Sequence, residues 1–143
     1  MNKFEVTFIL DNKELKIDLV ELAKIGNDLN KDIRDHSGIF AYHAAICEEA
    51  LAEYERAKEE LSEYEAALFI ELKKAGVVEG VKATEKLIDN AIIIDDERME
   101  LKREELKAKE IYRKLLAGKE ALVHKKDHLS TLSANLRKDT ENF

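Results

Sequence analysis

The chain has 143 residues, the length of one domain, and carries a formal net charge of −7 with 38% charged residues, no Pro, no Trp and five Gly. Such charge in an Ala-, Glu-, Lys- and Leu-rich chain is the composition of long exposed helices and coiled coils, and it excludes a compact globule rich in aromatics and turns. The acidic balance argues against a protein that simply coats DNA.

Charge is unevenly placed: residues 1–96 sum to −10, whereas residues 97–126 sum to +4. Any anion-binding surface is therefore expected in the second half, although a solvated helix face of mixed charge gives the same count. Cys47 stands alone, so no internal disulfide can form, and a reducing compartment fits. The N-terminus lacks a basic segment leading into a long apolar one, and no apolar run approaches the roughly 18 residues that span a bilayer. The expectation is a cytoplasmic protein with no membrane partner.

Residues 4–10, FEVTFIL, alternate Phe4, Val6, Phe8 and Leu10 against Glu5, Thr7 and Ile9, and ELKID at 14–18 alternates again. With Asp-Asn-Lys between them, the two runs predict a β-hairpin. Asp18 and Glu21 have capping-box spacing and open a helix predicted to reach about Arg34, with Leu19, Leu22, Ile25, Leu29 and Ile33 along one face. His36-Ser37-Gly38 then reads as a break, with Ser37 capping the next helix.

From Ile39 to Ala75 the pattern is a heptad. Phe40, Cys47, Tyr54, Leu61, Leu68 and Ala75 stand seven apart, with His43, Ala50, Ala57 and Tyr64 as companions. Gly76 and Gly80 stop this arm, a residue near Thr84 starts a short helix to about Ile92, and Asp95 and Asp96 open the last long helix. There Leu101, Ala108, Leu115, Leu122, Leu129 and Leu136 form a second seam. Ile92, Ile93 and Ile94 are too apolar for an exposed corner and are expected to plug the bundle end or a neighbouring subunit. The predicted fold is mainly α and oligomeric: a β-hairpin at 1–18, then a long antiparallel helical hairpin or coiled coil with a short elbow helix at 19–143, a single domain overall.

Chemistry-bearing motifs are missing. There is no phosphate-cradling glycine loop, no HExxH, no CxxC and no activated nucleophile, so no enzyme, cofactor or resident metal is expected. His124 and His128 share a helix face at metal-ligand spacing, but no third ligand accompanies them. What remains is a surface. Arg98, Lys102, Arg103, Lys107, Arg113 and Lys114 fall in one basic stretch around Tyr112, the combination of cations and an aromatic that single-stranded nucleic acid requires.

In layout the chain resembles the UvsY-like recombination mediators of tailed phages. KIDLVEL leads to DHSG, then EEALAEYERAKEELSEYEAAL, the elbow VKATEKLID, and a charged return closing on KEALVHKKDHLSTL, over roughly residues 16–138. The resemblance implies a homo-oligomer that binds single-stranded DNA and helps load a recombinase where single-strand-binding protein already sits. It also implies DNA contacts near the end of the central helix, where this sequence reads FIELKKAG and offers Lys73 and Lys74 beside Phe69. Two rivals share the same pattern: an oligomeric coiled-coil scaffold or adaptor without nucleic-acid binding, and a chaperone-like holder with helical arms.

Overall fold

The structure is a computed structural model and describes residues 3–141. In chain order it comprises β1 (Glu5–Leu10), β2 (Lys13–Asp18), α1 (Leu19–Ala23), α2 (Leu29–Ala75), β3 (Val77–Val78), β4 (Val81–Lys82), α3 (Glu85–Ile93) and α4 (Asp96–Glu141). The protein is thus mainly helical behind an N-terminal antiparallel hairpin. Its residues gather into two compact units, one of residues 1–50 with 111–143 and one of residues 51–110, and both long helices contribute to each.

In the first unit, β1 and β2 pair from Glu5↔Asp18 to Leu10↔Lys13. The two residues between them, Asp11 and Asn12, have φ of 51° and 63°. Positive φ at both central positions is the type I′ geometry whose twist matches that of the strands. Alternation does the rest: Val6 and Phe8 are buried, while Ile9 faces out. The hairpin's buried face meets Ile46, Cys47 and Ala50 of α2 and Leu115 of α4, with Leu10, Leu15, Ile17, Leu19, Ile111 and Tyr112 around them. This packing supplies the support that an isolated hairpin lacks in water.

Asp18 ends β2 and caps α1, accepting the N–H groups of Val20 at 2.9 Å and Glu21 at 3.2 Å. The chain then departs from the sequence expectation. α1 stops at Ala23, and α2 runs unbroken through His36, Ser37 and Gly38. The real start signal is Asp28, whose carboxylate accepts the N–H of Lys31 at 3.1 Å, while Asp32 reaches back to the N–H of Gly26 at 2.8 Å. Gly38 costs the helix about 1 kcal/mol of propensity, which does not stop it when His43, Ile46 and Cys47 just beyond are buried against α4.

Gly118 lets the two helices of this unit come close. A Cβ there would lie 2.8 Å from Leu19 Cδ2 and 2.9 Å from His43 Nε2. Beside it, the Leu115 carbonyl accepts hydrogen bonds from His43 Nε2 at 2.7 Å and from the Cys47 thiol at 3.2 Å, using a lone pair that helix bonding leaves free. Burial pushes the Cys47 thiol above its ordinary pKa, so it is a protonated donor and not a nucleophile.

The second unit contains the elbow. Gly76 ends α2 at φ 72°, and its N–H bonds to the Leu72 carbonyl at 3.2 Å. Gly80, expected as a second stop, instead forms with Glu79 the turn between β3 and β4, at φ 80° and 49°. Thr84 caps α3, its hydroxyl accepting the Leu87 N–H at 3.3 Å. Asp95 takes the equivalent place before α4, accepting the N–H of Arg98 at 3.0 Å. Of the three elbow isoleucines, Ile92 is buried, but Ile93 and Ile94 are 55% and 65% exposed. A nine-residue helix turns one stripe inward, and three consecutive positions cannot share it.

Candidate nucleic-acid interface

The cations singled out by sequence divide by what α2 and α4 place beside them. Within the second unit, Arg98 donates through Nε to Glu65 Oε1 at 2.9 Å, in a half-buried pair. Tyr64, one residue earlier on α2, donates its hydroxyl to Asp95 at 2.6 Å. That bond holds the Asp95 carboxyl below its ordinary range and raises the Tyr64 phenol above its own. Arg98 is therefore part of the buttress that closes the elbow onto α2, and it is committed to a carboxylate.

Helix spacing settles two more. Lys102 bonds Glu105 at 3.0 Å and Arg103 bonds Glu100 at 2.8 Å, each three residues along α4. Glu105 is itself buried, so the Lys102 charge is held close to a shielded partner. These interleaved glutamates reduce the positive field of the stretch where sequence placed it.

Lys73, Lys74 and Lys107 are exposed, and among the described residues none forms an ion pair. The Lys73 ammonium lies 5.8 Å from the centre of the Phe69 ring, a cation–π contact four residues apart on α2. In the first unit, Arg113 is exposed and likewise makes no ion pair among the described residues, while Lys114 is half-buried. Tyr112 is half-buried and packs against the core beneath the hairpin. It lies next to Ile111 on α4, and both pack against the cluster that contains Val6 and Phe8 of the hairpin, segments about a hundred positions apart in sequence.

No family model, curated protein or solved structure matches this chain.

Two clefts lie beside these groups. In the second unit, Ser62, Ala66, Phe69, Ile92 and Ile93 line one together with the carboxylates Glu65 and Asp89. In the first unit, a cleft of about 320 Å³ lies between the start of α2 and the far part of α4. Its walls include His36, Lys126 and Arg137 and no carboxylate. Sequence reasoning passed over this group because its members lie about ninety positions apart, joined only when the two helices pack. His124 and His128 are exposed on α4, and no three metal-type ligands converge among the described residues. No helix is long and apolar enough to cross a membrane.

Proposed function

We propose that the protein is a self-associating, non-catalytic module that binds single-stranded DNA and serves as a recombination mediator or accessory, helping to load a recombinase. The observation that carries this reading is that, of the cations the sequence singled out, Lys73, Lys74 and Lys107 in the second unit and Arg113 in the first are exposed and form no ion pair among the described residues, with Phe69 set against Lys73. The biological role in this reading rests on the resemblance of the sequence's layout to UvsY-like mediators. Each subunit contributes a few phosphate contacts that are weak alone, and several subunits acting together sum them into useful avidity. Acidic surface elsewhere is then available to a recombinase or to single-strand-binding protein, in a cytoplasmic setting.

Fluorescence anisotropy of a labelled single-stranded oligonucleotide, at low and then moderate salt, tests the reading. Binding should weaken steeply with salt and be weaker for duplex. Replacing Lys73, Lys74, Lys107 and Arg113 together by Glu should reduce affinity by about a hundredfold or more. Undiminished binding by that variant would remove this site, and no binding by the unaltered protein at low salt would remove the DNA reading.

A second reading has its own observation. Arg98, Lys102 and Arg103 are all engaged by glutamates, and Tyr112 packs against the core, which is how a structural helix uses such residues. An oligomeric scaffold or adaptor needs no more than this. A clean multimer that ignores DNA is its signature in the same titration.

A further inference from the structure

The cleft of the first unit contains a histidine with nothing to bond. His36 is 93% buried by its exposure of 7%, and neither ring nitrogen has a hydrogen-bond partner among the described residues. A buried polar group left unpaired is costly, and in a native fold it commonly marks a place that something else occupies. Phe40, the ring nearest it at 6.3 Å between centroids, offers no acceptor. With His36, the residues that line the cleft include Ser37, Ser130, Ser133, Lys126 and Arg137. Ile33 and Leu129 supply its apolar part.

We infer that this cleft is a binding site for a phosphate monoester group. Two cationic residues and three serines stand in a mostly apolar wall that has no carboxylate, beside the buried imidazole, and that balance of charge suits an oxyanion carrying an apolar group. The charge count selects among oxyanions: a monoester carries about −1.5 to −2 near neutral pH and matches Lys126 and Arg137 together, whereas a diester carries one charge. The cleft's volume admits the phosphate with part of the group it is attached to, which Ile33 and Leu129 can cover. A 5′-mononucleotide, a phosphorylated strand end and free phosphate share this chemistry.

Histidine 36 reports on occupancy. Burial, followed by the fields of Lys125 and Lys126, keeps its pKa below the ordinary value, which favours the neutral ring. Lys125 is anchored on the Leu22 carbonyl of α1 at 3.5 Å, and on α2 the neighbouring Arg34 and Asp35 pair with each other. A bound dianion offsets the field of Lys125 and Lys126 and favours protonation of the imidazole. Binding therefore raises the His36 pKa.

The test follows histidine ring resonances of the full chain during titration with inorganic phosphate at constant ionic strength, His36 being assigned by their loss in His36→Leu. The expected result is a saturable shift confined to that ring, with its pKa moving up. Arg137→Gln and Lys126→Gln, both at exposed positions, should each weaken phosphate about tenfold or more with unchanged circular dichroism. A 5′-mononucleotide should reproduce the shift and dimethyl phosphate should not. A response that never saturates, one that both variants retain in full, or one that dimethyl phosphate matches would overturn the assignment. Because the readout is phosphate at His36, failure here leaves the oligonucleotide result untouched, and the converse also holds.

Discussion

At the scale of single residues, two positions on α4 and α2 carry more than their sequence context announces. Gly118 sits in a helix, where Ala would ordinarily gain about 1 kcal/mol in propensity. Here the added methyl would press on the end of the half-buried Leu19 and on the His43 nitrogen that bonds the Leu115 carbonyl, and the buried His43 cannot move without losing that bond. Overpacking wins, so Gly118→Ala should lower stability by about 1–3 kcal/mol, read from the midpoint of urea unfolding. His36 sets a pH dependence. Its folded pKa lies below the unperturbed value, mainly through burial and then through Lys125 and Lys126. The unfolded chain therefore takes up the proton first as pH falls below about 6.5, and folding stability declines from there down through the folded pKa. In phosphate-free buffer, His36→Leu should flatten the loss of thermal stability between about pH 7 and pH 5; an unchanged profile would show that another group sets it.

At the scale of elements, caps decide where helices begin, and the caps were visible to different degrees. Asp18, Thr84 and Asp95 are followed by helical sequence and each accepts a backbone N–H two or three residues on. They were legible because an N-cap needs only its own local sequence. Thr84→Ala should cost about 1 kcal/mol and fray α3, measured as faster amide exchange over residues 85–88 with the long helices unaffected. Ser37 has the same residue type but makes no start, since α2 was already begun at Asp28 and its His43, Ile46 and Cys47 are held from the side. Sequence could not weigh these, because the local preference at Ser37-Gly38 competes with burial supplied by a segment some seventy positions away.

At the scale of the whole molecule, apolar surface argues for association. Tyr42 in the first unit is 61% exposed, and Ile70, Ile93 and Ile94 in the second are each more than half exposed. We expect a multimer by light scattering at micromolar concentration, and Ile93→Lys with Ile94→Lys should shift it towards monomer without loss of helicity; a monomeric mass for the unaltered chain would refute self-association. The sequence alone determined the N-terminal hairpin, the two long helices and the short helix between them, since strand alternation, the heptad seams around Leu115 and Leu122, the glycine at position 76 and the local caps all act within a few residues, but not the α1–α2 boundary or the β3–β4 pair. It also determined where positive charge is concentrated along the chain. Only tertiary structure decided what stands beside those charges, by setting Glu65 against Arg98, packing Tyr112 against the core and laying Lys126 and Arg137 beside a His36 unpaired among the described residues. The physical reason is range: caps, turns and periodicity are local, whereas desolvation and charge pairing depend on which distant segment arrives at a residue's side.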